Sequence, residues 1–258
     1  MQRRILSIAF LATVSLLPSA AFAADGCHQL PNHTALKAAL DAAVATETSG
    51  LDNQMWGTIV DRDGIVCAVA FSGEDRGSQW PGSRAISAQK ANTANSYSLD
   101  GLALSTANLF SAVQPGASLY GLQASNPVDV DVAYKGPSKN YGQHNDPMVG
   151  SKIGGVNVFG GGLPLYNADH KIVGALGVSG DTSCADHRIG WRTRDNLNLD
   201  NLSGVPGVSG DPTRPDNMVF DITPNPNGGI GISTSGFGHA HCLGAAVDGD
   251  PSTLPAVQ

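Results

Sequence analysis

The chain has 258 residues, 41% hydrophobic and 14% charged, with 15 basic against 22 acidic side chains. Such an acidic chain repels phosphate, which excludes nucleic acid and anionic membrane surfaces as natural partners. Its length suits one large domain, or a domain with a substantial extension.

The N-terminus opens on Arg3 and Arg4, runs through an apolar stretch from Ile5 to Leu17, and breaks at Pro18 before Ala21-Phe22-Ala23. A short positive start, an apolar run and a small-x-small end predict a signal peptide over 1–23, cut near Ala23. The run is too short to span a bilayer comfortably, so the protein is expected in the periplasm or secreted, not as a transmembrane protein. Removing Arg3 and Arg4 leaves thirteen basic residues and a net charge of about −9. The acids are almost all Asp, Glu occurring only at Glu47 and Glu74, and 32 Gly and 15 Pro accompany them. That composition predicts a loop-rich body.

Four cysteines, Cys27, Cys67, Cys184 and Cys242, survive the cut. An even number in an exported chain suggests two disulfides, and joining sequence neighbours gives Cys27–Cys67 and Cys184–Cys242. Two other pairings remain open, as does a zinc site, although no C-x-x-C spacing supports one.

In chain order, Thr34 to Thr46 carries Leu36, Leu40 and Val44 at helical spacing, with Asn32 as N-cap. Met55–Val60 and Ile65–Phe71 read as strands joined by Asp61-Arg62-Asp63-Gly64, a hairpin. Ser83–Tyr97 returns to helical period, and Leu104–Val113 reads as a shorter helix stopped at Pro115-Gly116. Residues 123–152 look like a long loop or insertion, with an edge strand alternating around Asp129 and Asp131. Val156–Phe159 and Leu163–Leu165 read as extended segments flanking Gly160–Gly162. Lys171–Val178 is an apolar strand, and Thr182–Leu197 a helix with Ala185, Ile189 and Arg192 inward. The rest, 199–258, is rich in Pro, Gly and Asn, with one apolar run at Ile230–Ile232. This order of elements predicts an α+β fold, an antiparallel sheet with packed helices, over 24–198, and an extension over 199–258 packed on or beside it.

Most sharp chemical motifs are missing. No Gly-rich nucleotide loop, nucleophile elbow, H-E-x-x-H or C-x-x-C-H is present. His239 and His241, two apart beside Cys242, are weak metal candidates, the alternative being loop decoration next to a disulfide.

Two stretches carry a resemblance. Ala85-Ile-Ser-Ala-Gln-Lys-Ala-Asn-Thr-Ala94, followed by Ser105-Thr106, is similar to one helix motif of the HbpS/GlcG-type haem-binding family. Gly161-Gly-Leu-Pro-Leu165, then Ile172-Val-Gly-Ala-Leu-Gly-Val-Ser-Gly180 and Asp186, resembles its second motif in the right order and spacing. The similarity covers roughly residues 33–198. It implies a profilin-like fold, homo-oligomers, and haem or a related tetrapyrrole as ligand, with exported members linked to haem handling or redox sensing. Lys90, Thr106 and Gly162 occupy motif positions and are carried over as pocket candidates. Ser105 stands where the family often has proline, residues 123–152 run longer, and 199–258 has no counterpart.

Noncovalent haem needs an apolar slot, a cation for its propionates and an axial donor. Lys90 or Arg84 would serve the propionates, and His187 is the side-chain donor the sequence offers. Two rival readings stand beside haem binding: a structural or interaction module, and an enzyme using the same pocket on a small molecule. No paired, activated nucleophile supports the second.

Overall fold

The computed structural model describes residues 26–258; the expected signal peptide lies outside them. Helix α1 (His33–Thr46) begins where Asn32 accepts the Ala35 N–H, the N-cap its sequence predicts. Strands β1 (Trp56–Asp61) and β2 (Val66–Phe71) form the expected hairpin, and α2 (Ser83–Tyr97) follows. The short helices α3 (Leu122–Ser125) and α4 (Val130–Ala133) lie in the insertion. Strands β3 (Gly162–Tyr166) and β4 (Ile172–Ser179) and helix α5 (Ser183–Asn196) complete the main body. The tail adds only the two-residue strands β5 (Ile222–Thr223) and β6 (Ile232–Ser233) and the one-turn α6 (Ala245–Asp248).

The four long strands make one antiparallel sheet in the order β2-β1-β4-β3. Alternation along β4 divides its side chains between two layers. Leu176 and Val178 face α1 and α5, joining Leu36, Leu40 and Ile189 in one core. Ala175 joins Ala88, Ala91 and Ala94 of α2 in the other. This is the predicted α+β class, with helices on both faces of an antiparallel sheet.

Helix α2 lies unusually close to the sheet because both partners are small. A Cβ on Gly177 would stand 1.9 Å from the Ser87 carbonyl oxygen, and one on Gly162 would stand 2.5 Å from that of Lys90. These two glycines therefore set the depth of α2, and with it the position of Lys90.

Each sheet edge has a backbone partner at one end, which shortens the open ladder that invites association with another chain. On β2 the insertion supplies the Ser151 carbonyl to Val66 N and takes the Val66 carbonyl through Gly150 N. On β3, Tyr166 N donates to Leu199 O at the start of the tail. The disulfides are Cys27–Cys67 and Cys184–Cys242, the neighbour pairing expected.

Several local expectations differ from the structure. The stretch around Asp129 and Asp131 is a helical turn, not an edge strand, because the Asp129 carboxylate caps Asp131 N and Val132 N. Leu104–Val113 is two 3₁₀ turns, Thr106–Leu109 and Ser111–Val113, rather than one helix. Its first turn is fixed by Ser105 and Asn108 bonding each other's termini. Val156–Phe159 forms no strand. Arg192 turns to the half-buried flank of α5 to meet Glu47, and Ile232 is 77% exposed.

Candidate functional site

The site grows from a charge placed where water is absent. Lys90 sits on the face of α2 pressed against the sheet, among alanines, and is 1% exposed. A buried ammonium needs a counter-charge and further acceptors. It donates to Asp186 Oδ2 at 2.7 Å and to the Val178 carbonyl at 3.1 Å. Asp186 lies in the first turn of α5, and its other oxygen accepts Asp181 N at 3.0 Å. Burial pushes the Asp186 carboxyl up to about 6, with Lys90 pulling it back. Burial likewise lowers the Lys90 amine, and Asp186 opposes that shift. Lys90 thus ties α2 to β4 and α5 at the point where β4 gives way to the helix.

Above this pair the elements part to leave a cavity of about 330 Å³. Trp80, Ile86 and Phe159 form its apolar sides, and Lys90, Ser179 and Asp186 its polar floor. Asp181, Thr182 and Ser183 bring the start of α5 to the rim. Thr182 caps that helix by accepting Ala185 N. Trp80 and Phe159 are half exposed, so aromatic faces flank the mouth.

Lys90 is the one predicted residue that lines this space. Thr106 and Gly162 lie behind it. The Thr106 hydroxyl donates to the Phe159 carbonyl at 2.6 Å and accepts Gly162 N at 2.9 Å, a bracket that fixes the turn presenting Phe159. His187 faces the tail instead: Nε2 meets Asn217 Oδ1 at 3.2 Å, and Nδ1 has no hydrogen-bond partner. Burial drives its pKa down to about 3, so the ring is neutral. The position one residue beyond Asp186 on α5 turns it away from the cavity that Asp186 lines.

His239 is brought behind the cavity by the tail. Its Nδ1 lies 2.6 Å from the Ala240 carbonyl, and Nε2 lies 3.4 Å from both Ser183 Oγ and Gly160 N. It groups with Cys184 and Cys242, their donor atoms within 4.8 Å of one another, but both sulfurs are joined in the disulfide and neither is a thiolate ligand. His241 stacks on Phe220 and pairs with Asp248 at 2.9 Å. The structure therefore does not bring the two histidines together as a shared site.

Sequence reasoning passed over Trp80, Phe159 and Ser183. Trp80 and Phe159 stand in loops with no periodicity to mark them. Asp186 stands in a motif that assigns it no role, yet a lysine amid alanines on a helix face demands an acid nearby.

Tested as a haem site, the cavity offers apolar sides for a macrocycle and lies at the low end of small-ligand pocket sizes. Its donors are hydroxyl and carboxylate oxygens, together with the Lys90 amine held by Asp186. Neither expected propionate cation is free. Arg84 is engaged with Asp146 and lies 3.7 Å over the Tyr141 ring.

Among solved structures, the Klebsiella pneumoniae protein ORFY is similar at 27% identity over 65% of this chain and 90% of its own, with a TM-score of 0.43. A PduOC:haem complex is 24% identical over 66% of this chain and 96% of its own, with a TM-score of 0.45. HbpS is 18% identical over 64% and 86%, with a TM-score of 0.40. No curated protein matches significantly. The family described as haem degrading protein HbpS-like matches residues 30–192, a span that holds the sheet, α1, α2, most of α5 and the Lys90 cavity, and the chain belongs to that family.

Proposed function

We propose that this protein binds haem or a related tetrapyrrole in the cavity between α2, β4 and the start of α5. Family membership supports haem as the ligand, and the observation that carries the location is the opening beside Lys90 flanked by Trp80 and Phe159. In this arrangement Trp80, Ile86 and Phe159 cover the macrocycle face. The Lys90–Asp186 pair holds the floor in place, and Thr106 and Gly162 position Phe159 from behind. When bound, haem would supply a redox-active iron, to which Thr182, Ser183 and the carboxylates at the rim would offer only oxygen donors, weaker than the His, Cys or Met of typical haem proteins.

Hemin titration followed by absorption spectroscopy tests this. We expect a saturable, shifted Soret band of high-spin type. Trp80→Ala and Phe159→Ala should each weaken binding by about tenfold, equivalent to about 1.4 kcal/mol. His187→Ala should leave the spectrum unchanged. A spectrum indifferent to both aromatic variants, or lost with His187→Ala, would overturn the location. Because the family description names haem degradation, the same sample followed in time reads turnover, as decay of the band with product absorption.

The reading places the protein outside the cytoplasm, in haem handling or redox sensing. The N-terminal segment and the two disulfides support export. Among the described residues, no helix is long and apolar enough to cross a membrane. Fractionation with and without residues 5–17 reads the compartment, and light scattering with and without hemin reads the proposed homo-oligomer.

A further inference from the structure

The Cys184–Cys242 bridge stands in surroundings that suit thiolates. Cys184 occupies the first turn of α5, and Cys242 comes from the tail. The Cys184 N–H donates to Cys242 Sγ at 3.2 Å, and the Ser183 hydroxyl lies 3.3 Å from the same sulfur. A disulfide sulfur carries no hydrogen, so Ser183 is the donor. These donors, together with the N-terminus of α5, favour negative charge on sulfur. The Cys27–Cys67 bridge lies instead beside the Asp61 carboxylate, and the oxygen 3.4 Å from Cys67 Sγ is the Ile65 carbonyl. Acceptors there oppose a thiolate.

His239 adds a nitrogen to the Cys184–Cys242 group. Its Nδ1 lies 2.6 Å from the Ala240 carbonyl, which places the hydrogen on Nδ1 and the lone pair on Nε2. The Gly160 N–H, aimed at Nε2 from 3.4 Å, agrees with that tautomer. Metal-binding histidines are held in the same way, one ring nitrogen donating to a carbonyl and the other left to the ion. One donor atom each from Cys184, His239 and Cys242 falls within 4.8 Å of the others. A tetrahedral zinc ion holds sulfur and nitrogen donors about 3.5 Å apart, so small side-chain shifts suffice.

We propose that Cys184, Cys242 and His239 become a zinc site when this bridge is opened, a metal ion then replacing the disulfide as the clasp between α5 and the tail. A dithiol delivers two electrons and two protons to the S–S bond, becoming a disulfide itself and leaving two thiols. Cys242, the partly exposed sulfur, is where it attacks, since Cys184 is 1% exposed. Zn²⁺ then displaces one proton from each thiol and binds both sulfurs and the Nε2 lone pair, with water beside Ser183 as fourth ligand. Two thiolates and an imidazole suit Zn²⁺ over Mg²⁺ or Ca²⁺, which prefer oxygen. The site lies behind the Lys90 cavity and does not depend on that cavity's ligand.

Co²⁺ serves as the spectroscopic probe. The full chain carrying Cys27→Ser and Cys67→Ser is reduced with a dithiol, which is then removed under nitrogen. We expect one Co²⁺ per chain, with sulfur-to-cobalt charge-transfer absorption and the intense visible bands of a tetrahedral ion, bleached by one equivalent of Zn²⁺. His239→Gln should weaken binding about tenfold or more, whereas His241→Gln should leave it unchanged. Zinc should raise the melting temperature of the reduced chain, as an ion bound to the folded form does. Should the double variant fail to fold, the unsubstituted chain reduced at both bridges gives the same readings, and Cys184→Ser with Cys242→Ser should abolish them. An octahedral cobalt spectrum, indifference to His239→Gln, equal uptake by the oxidised chain, or a melting temperature that zinc leaves in place would overturn the proposal. The hemin titration reads the haem assignment separately.

Discussion

The sheet domain and the tail that follows Leu199 are held by different balances of the same forces. In the domain, apolar side chains from α1, α5 and β4 close one core, and the alanine face of α2 closes another. The tail has little regular structure and attaches through three small apolar clusters, around Leu202, Met218 and Leu254, and through a larger set of polar anchors. Arg194 pairs with Asp216, both fully buried, and the Trp191 indole donates to the Pro255 carbonyl. Asn108 donates to the Asn217 carbonyl, and Arg188 reaches the Asp250 carbonyl and Thr253 hydroxyl. Cys184–Cys242 fixes the far end. A core of area and volume tolerates exchange among similar apolar residues. An anchor of charge and hydrogen bonds fails when one partner is removed.

The largest effect should therefore come from the deepest anchor. Asp216→Asn leaves the Arg194 guanidinium buried without its counter-charge, and removing one partner of such a pair costs about 3–5 kcal/mol. Urea unfolding should show it. The same loss from the double variant Arg194→Met with Asp216→Leu, which removes both charges, would mean that packing on Trp191 matters more than the unpaired charge.

Replacing Cys184 and Cys242 together with serine comes next. The bridge closes a sequence separation of 58 residues, and losing one of that size costs about 2–4 kcal/mol. Because it joins tail to domain, hydrogen exchange should rise first around 234–248, with α2 and β4 protected until global unfolding. Exchange rising uniformly would show that tail and domain open as one unit.

His187 separates the two regions by pH. Burial lowers its pKa from 6.5 to about 3, so the folded state holds it neutral. A depressed histidine contributes stability that is full above 6.5 and is lost as pH falls toward 3. Asp186, raised from 3.8 to about 6, acts with the opposite sign: its contribution is full below 3.8 and is lost as pH rises through 6. Comparison with His187→Gln isolates the histidine. From pH 6.5 to 5 the native chain should lose about 2 kcal/mol relative to the variant, at about 1.4 kcal/mol per unit. Parallel pH profiles would mean that the tail lets water reach the ring.

Where periodicity carries information, the sequence was readable. Leu36 and Leu40 mark α1, the Asp61–Gly64 turn marks the hairpin, and the apolar run after Lys171 marks β4. The candidate site was readable only at Lys90, whose neighbours repeat a family motif. Trp80 and Phe159 come together by tertiary folding of separate loops. Asp129 and Asp131 alternate with valines like strand residues, yet a capping carboxylate decides the local conformation. The tail could not be read because its anchors are long-range: Arg194–Asp216 and His187–Asn217 leave no spacing rule in the chain.

The smallest effect tests whether the domain's local signals are independent of the tail. Asn32 caps the N-terminal end of α1 by accepting Ala35 N at 3.1 Å, whereas the tail meets the other end of that helix, through Glu47 and Arg188. Asn32→Ala leaves that N–H to water and should cost about 1 kcal/mol. Since α1 carries Leu36 and Leu40 into the same core as Ile189, the loss should appear in global unfolding. Exchange at 234–248 should keep its native ratio to the global rate, because the disulfide and the Arg194 pair are untouched. A selective rise there would mean that strain in α1 passes through α5 to the tail, and that the polar anchors depend on the core after all.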